Sequence, residues 1–413
     1  MLILFHWGLA TIYLAAPAVA MLMAIFWRGR AIGRLAIATI VGTMIGVGFS
    51  LLHARQIDSR ATFGNVAVAS YFAMALLLIL KGFDLVLRRL LRIKRRWVIG
   101  VLPAFLGLVR GLILIVVGLP FLMSVLMIYR PKAVPRSNPL KELEIAYEPV
   151  SFQSTDGVKL SAWWIPAPQP SRPRRRNLIA PDYGAKTVLL CHGWGGNKAT
   201  PLALVRRLLP AGYNVLAFDF RGHGESGGQV STLGDLERRD VLGAIQWLKQ
   251  THVNQSRHVV GLGVSTGAAA LIAAAVDPSE PGQAIEAVAV YGAYDDLGSL
   301  SMHLARNSFS PPMDWMASRI GLAMASAQVG ADLDKFKPAD LVQDLWPRPI
   351  FVIHATYDEV VPFEHGQRLF EAATFPKQCL WLTQEDQDDA IYDDSAADAV
   401  RRFFDTAHPM PAV

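Results

Sequence analysis

The reading of this chain turns on "HVVGLGVSTGAAALIAAAV", residues 258–276. The first seven residues form a short apolar run rich in valine, the length and composition of a buried strand. The rest is an alanine-rich run with high helix propensity and no interior breaker. Between them, Gly263-Val264-Ser265-Thr266-Gly267 fits the pattern G-x-S-x-G. The pentapeptide alone is weak evidence. Placed between a strand and a helix, it has the context that a nucleophile elbow requires: glycines permit the tight turn, and the turn lifts Ser265 onto a helix N-terminus. The plainer reading is a strand-to-helix turn made of small residues.

Outward from this point, strand and helix patterns alternate. Upstream, Thr187–Cys191 and Asn214–Phe218 read as buried strands, and Pro201–Leu209 and Asp235–Gln250 as helices. Downstream, the runs at 284–291, 349–355 and 379–383 read as strands, and Ser395–Phe404 as a closing helix. Strands separated by helices predict a mostly parallel, doubly wound sheet covered on both faces. Before it, two alternating apolar runs flank Asp156-Gly157, a hairpin signal. Ala167–Lys186 is rich in Pro and Arg and reads as a surface loop, with Arg174–Arg176 either solvated or touching acidic lipid or a partner.

Three further pieces carry candidate chemistry. "CHGWGGN" (Cys191–Asn197) follows a strand, where backbone amides can serve an oxyanion. "FDFRGHGESGG" (Phe218–Gly228) reads as loop scaffolding through Asp219, Arg221 and Ser226. "VIHATYDEVVP" ends a later strand and offers Asp358 as a carboxylate able to orient a histidine. Together with "STDGVKL" and "GVSTG", these pieces resemble the α/β-hydrolase superfamily in type and order, over about Tyr147–Phe404. The serine-aminopeptidase-like branch of esterases, acyl hydrolases and peptidases looks closest. The resemblance implies Ser265 as nucleophile, Asp358 as triad acid, and the backbone amides of Trp194 and Thr266 as the oxyanion hole. It implies no metal and no cofactor, and makes His192 structural. It also implies a lid at Tyr294–Trp346, whose Met302, Phe309, Met313, Trp315 and Met316 either line an acyl pocket or pack helices.

The family's histidine stands just after the last strand. Aligning Leu380-Trp381 to that strand puts Asp388 in its place, or Gln387 with a shift of one, and no histidine lies between His365 and His408. His223, His354 and His365 each have an ordinary structural explanation, and His408 lies beyond the closing helix in a Pro-containing tail. A serine hydroxyl is a poor nucleophile until a base takes its proton. Asp388 is a weak substitute, with an unperturbed pKa of about 4. Glu385, Asp386, Asp388 and Asp389 crowd together there, as a solvated acidic loop or as oxygen ligands for a divalent cation. The domain is expected either to hydrolyse esters or amides weakly, or to be a non-catalytic pseudoenzyme that joins a membrane complex.

The rest of the chain sets the context. It has 413 residues, 52% hydrophobic and only 18% charged. Residues 1–130 carry 14 Lys/Arg against 2 Asp/Glu, so the basic balance belongs there; the remainder is net acidic, and nucleic acid is not an expected partner. Four apolar stretches, at Leu2–Trp27, Ala31–Leu52, Val66–Leu80 and Val98–Tyr129, are expected to cross a bilayer as helices. The first lacks the basic n-region of a cleaved signal. Arginines and lysines at 28–34 and 81–96 outnumber those in the opposite loops. By the positive-inside rule, the C-terminal domain then lies outside the cytoplasm, periplasmic in a bacterial inner membrane. Few ionisable residues fall within the spans, which argues against a transporter. The expected organisation is therefore a membrane region over residues 1–130, a linker at 131–146, and a hydrolase domain at 147–413. Cys191 and Cys379 form no disulfide framework and read as small buried hydrophobes.

Overall fold

The computed structural model describes residues 114–129, 132–168, 184–383 and 394–407, with single positions at 105, 107, 109 and 112. Apart from the end of the fourth, the apolar stretches expected to span a membrane lie outside the described residues, as do Arg174–Arg176, Gln387 and Asp388. Among the described residues, no helix is long and apolar enough to cross a membrane. The chain divides into two units, Met1–Leu122 and Met123–Val413. The helix α1 (Leu119–Ile128) straddles their boundary.

The second unit is built on eight strands: β1 (Glu148–Gln153), β2 (Lys159–Ile165), β3 (Lys186–Cys191), β4 (Tyr213–Phe218), β5 (His258–Val264), β6 (Ile285–Tyr291), β7 (Ile350–Ala355) and β8 (Lys377–Leu382). Their order across the sheet is β1-β2-β4-β3-β5-β6-β7-β8. β2 runs antiparallel to both neighbours, and all other pairs are parallel. The hairpin joining β1 to β2 turns at Asp156 and at Gly157, which has a φ of 85°. Cys191 pairs with Gly263, and Val264 with Tyr291, so the C-terminal ends of β3, β5 and β6 finish level at one edge.

Period-two alternation sends side chains to opposite faces. Leu189, Leu216, Val288 and Val352 meet α3 (Arg238–Thr251), α4 (Thr266–Ala275) and Leu369 of α7 (Phe363–Ala372). Val188, Leu190, Val215, Leu262 and Phe351 meet α2 (Leu202–Leu208) and α8 (Asp394–Thr406). The central strands read as continuous apolar runs because both faces are covered. Cys191 follows that rule and is buried; Cys379 does not, being exposed on β8, the last strand of the sheet.

Between β6 and β7 the chain forms α5 (Leu297–Ser308), α6 (Gly321–Val329) and several shorter turns. Tyr294, Leu297, Leu322, Ala325 and Phe336 pack there against Ala269 and Ala273 of α4, together with Ile128 and Val361. Met302, Phe309, Met313 and Met316 are only half-buried, and Trp315 is 55% exposed. They are not the buried core of this segment, which is made by the leucines and small residues.

A buried ion cluster ties the hairpin to the sheet. The Arg221 guanidinium reaches Asp240 Oδ1 from Nη2 at 2.7 Å and Asp156 Oδ1 at 2.7 Å, and its backbone N–H donates to Asp240 Oδ2 at 2.9 Å. Burial pushes the Asp240 carboxyl up to about 7, against the pull of Arg221. Removing one partner of such a cluster leaves an uncompensated buried charge, at a cost of about 3–5 kcal/mol. Arg221→Met should therefore lower the denaturation midpoint sharply at pH 8. A carboxyl whose folded pKa is raised loses stability as pH rises through that value, so the defect should shrink as pH falls from 8 to 5. Denaturation of both proteins across that range checks the sign.

Candidate active site

β5 hands over to α4 at Ser265, whose φ of 52° and ψ of −116° lie outside the regions that L-residues normally occupy. Three contacts hold this turn. The Ser265 N–H donates to Tyr291 O at the end of β6, at 2.8 Å. A Cβ on Gly263 would stand 2.5 Å from Ala268 Cα, and one on Gly267 would stand 2.3 Å from His192 O. Only glycine at these places lets α4 start this close to the strand ends. The outcome is a serine raised at the helix N-terminus, where first-turn amides lack acceptors within the helix. Among the described residues, the Ser265 hydroxyl has no hydrogen-bond partner.

The loop after β3 lies against this turn: a Cβ on Gly193 would stand 3.3 Å from Ser265 Cβ. Trp194 follows directly and is 40% exposed. This brings the loop bearing the Trp194 amide beside the helix start bearing the Thr266 amide. His192 shapes the loop. Its Nδ1 faces Gly193 O at 2.8 Å and its Nε2 accepts from the Phe220 N–H at 3.1 Å, so both ring nitrogens are engaged. Burial, with His223 nearby, pulls its pKa down to about 3 and keeps the ring neutral.

The same loop is anchored by a residue that the sequence reading passed over. Lys198 is fully buried, with Nζ 2.9 Å from Asp219 Oδ2, 2.6 Å from Glu225 Oε2 and 2.7 Å from Ser161 Oγ, and 5.2 Å from the centre of the Trp163 ring. Asp219 also accepts from the Lys198 N–H at 2.7 Å and the Glu225 N–H at 2.9 Å. Ser226 Oγ donates to Asp219 O and accepts from the Ser161 N–H. The "DFRGHGES" loop and the "HGWGGNK" loop are thus one bonded body.

Asp358 sits three residues beyond β7 and is almost wholly buried. Its Oδ1 accepts from the N–H groups of Val360 and Val361, at 2.9 and 2.7 Å. Its Oδ2 lies 3.6 Å from His354 Nε2. That histidine faces Val361 O at 2.8 Å, so Nε2 carries the proton, and burial lowers its pKa. His354 supports the turn from beneath and is not placed as a base.

A second carboxylate–histidine pair lies at the start of the segment after β6, again without a sequence signal. His365 Nδ1 bonds Asp295 Oδ1, and Arg368 Nε reaches Asp295 Oδ2 at 2.6 Å. Burial alone would raise the Asp295 carboxyl, but these two donors outweigh it and hold it down at about 2. His365 is therefore partnered by Asp295, not by Asp358. Ser265, Trp194 and Thr266 come together at one edge, with Asp358 on a loop at the end of β7; Gln387 and Asp388 lie outside the described residues.

An eight-stranded, mostly parallel sheet with one antiparallel inner strand and a strained serine after β5 defines the α/β-hydrolase class. The chain belongs to the alpha/beta hydrolase family, whose model matches residues 188–410. It is 28% identical over 265 residues to the uncharacterized protein YfhR of Salmonella typhimurium, covering 63% of this chain and 82% of that one. It is 26% identical over 243 residues to the alpha/beta hydrolase domain-containing protein WAV2 of Arabidopsis thaliana, covering 58% and 71%. Among solved structures, the esterase Pf2001 of Pyrococcus furiosus superposes with a TM-score of 0.53 at 23% identity, covering 67% of this chain and 98% of that one. At that identity the likeness is one of fold.

The turn at Ser265 predicts an inverted order of stability. At an ordinary position alanine is more stable than glycine by about 0.4–1 kcal/mol, through unfolded-state entropy. At the positive φ of Ser265 the side chain itself costs about 1–3 kcal/mol. Ser265→Gly should unfold at a higher temperature than Ser265→Ala, and calorimetry of the two variants reads the order directly.

Proposed function

We propose that this protein is a membrane-anchored serine acyl hydrolase of the esterase or amidase type whose turnover is impaired by the absence of a triad histidine. The observation that carries the reading is the backbone of Ser265. A conformation costing about 1–3 kcal/mol persists only where the surroundings over-determine it, as they do at functional sites. The five motif pieces favour the serine-aminopeptidase-like branch within the family.

In this reading Ser265 Oγ attacks the carbonyl carbon of an ester or amide. The oxygen that becomes negative takes N–H bonds from Trp194 and Thr266. Collapse expels the alcohol or amine, and water then hydrolyses the acyl-Ser265 ester. The oxyanion donors act without a base, whereas removal of the serine proton needs one. Loss of the histidine in a serine triad costs about a million-fold in turnover. No histidine lies between His365 and His408, and Asp388 or Gln387 stands where the family's histidine is expected. The apolar residues 1–130 and the basic loops between them support anchoring, with the hydrolase domain outside the cytoplasm.

The missing histidine also favours a second reading: a non-catalytic subunit that keeps the fold and joins other proteins in a membrane complex. A fluorophosphonate probe and a p-nitrophenyl ester separate the two. The hydrolase reading expects slow labelling that vanishes in Ser265→Ala, with turnover just above background. No labelling above the Ser265→Ala level would sink it. Asp388→His or Gln387→His should raise ester turnover by at least tenfold if only the base is lacking.

A further inference from the structure

The sheet ends in two edge strands, and they are not alike. β1 closes one side with the exposed Glu148 and with Pro149, which has no N–H to offer a neighbour. β8 closes the other side as Lys377-Gln378-Cys379-Leu380-Trp381-Leu382, with no proline, no acidic residue, and its one charge at the first position. Gln378 and Cys379 are exposed, and the rest of the strand is half-buried. Proteins blunt an open edge with proline or charge, because a row of free backbone groups accepts another strand. β1 is blunted in this way and β8 is not.

The bonds to β7 tell which groups of β8 point outward. The Ile350 N–H donates to Pro376 O, and the Thr356 N–H donates to Leu382 O. The register between these two bonds is unbroken, with Ile350 level with Lys377 and Ala355 level with Leu382. Backbone groups alternate in direction along a strand, so Gln378, Leu380 and Leu382 turn theirs toward β7. Lys377, Cys379 and Trp381 turn theirs away from the sheet. Among the described residues, no hydrogen bond reaches these outward groups. The side chains of Lys377 and Trp381 lie on the α7 face: Lys377 Nζ donates to Phe370 O at 2.8 Å, and the Phe370 ring centre stands 5.9 Å from that of Trp381. Leu380 and Leu382 pack on the other face.

The outward groups are symmetric about Cys379. A two-fold axis at that residue lays a second β8 antiparallel to the first. Cys379 then exchanges both backbone bonds with Cys379 of the second copy, and Lys377 exchanges both with Trp381 of the second copy, on either side of the axis. Like charges do not meet in this register. Each Lys377 stands opposite an indole, and the two lysines are about 13 Å apart along the strand at about 3.3 Å per residue. The contact uses the same surface on both copies, so it closes at two and leaves no edge for further growth.

We infer that β8 is a self-association edge: it pairs antiparallel with β8 of a second copy of this chain, in the register centred on Cys379, and joins the two sheets into one. The inference does not depend on what the Ser265 site does.

The full chain, extracted in dodecyl maltoside and weighed by native mass spectrometry, provides the test. Two copies are expected for the wild type and for Cys379→Ser, which alters no backbone group. Cys379→Lys sets two ammonium groups across the axis and should give single copies, with an unchanged circular dichroism spectrum because the position is exposed. A single copy of the wild type overturns the inference, and so does a Cys379→Lys protein that stays paired, since its interface then lies elsewhere. A short thiol-to-thiol crosslinker reads the register. Lys377→Cys and Trp381→Cys, each combined with Cys379→Ser, are coexpressed with different tags. Linkage between positions 377 and 381 should exceed linkage of either position to itself several-fold. Equal yields, or a preference for like pairs, overturn the register centred on Cys379.

Discussion

The close approach of α4 to the ends of β3 and β5 is the constraint on which the rest of this domain depends. Gly263 and Gly267 leave no room for a Cβ, and the Ser265 N–H is tied to β6. The helix can start this near the sheet only if the residue between strand and helix accepts a positive φ. That one turn fixes the height of Ser265, the direction of the α4 N-terminus, and the place of the loop after β3, which rests on it through Gly193. The alanine content of α4 follows from the same approach, since larger side chains would hold the helix off the strands and break the turn.

Around the turn, charged side chains serve as pins between loops. Lys198 joins the loop after β3 to the loop after β4, Arg221 joins the loop after β4 to the first hairpin and α3, and Arg368 joins α7 to the residue that opens the segment after β6. Lys198 and Arg221, withdrawn from water, are each paired with two carboxylates, one of them buried, and the half-exposed Arg368 with the buried Asp295. Such pairs add little net stability compared with well-packed apolar groups, but they are directional. They set which loop lies against which. Apolar packing alone would not hold four loops in register at an edge where the sheet no longer supplies backbone hydrogen bonds.

The strands and helices of the C-terminal domain were legible because both faces of the sheet are covered, so each central strand is an unbroken apolar run bounded by polar residues. β5 spans His258–Val264, the same seven residues whose valine-rich run reads as a strand. The elbow was legible because its glycines are a local requirement. Lys198 and Asp295 were not, for a physical reason. Their partners lie 21 and 70 residues away, and nothing near either residue in sequence shows that a carboxylate or a histidine will be brought to it by the fold. Cys379 misled because a strand at the edge of a sheet has the composition of an inner strand without its cover. The histidine question arises in the sequence, which has none between His365 and His408, and Gln387 and Asp388 lie outside the described residues.

The bond from Gln328 to Ser124 and the burial of Ile128 have a mechanical meaning. The helices between β6 and β7 are joined to α7 through Asp295 at one end, and to Ser124 and Ile128 through α6 at the other. The residues from Met123 onward thus lean on helices and loops, and not on any strand of the sheet. A change at Ser124 or Ile128 would therefore be felt first in the helical segment over α4, through Gln328, Leu322 and Ala325.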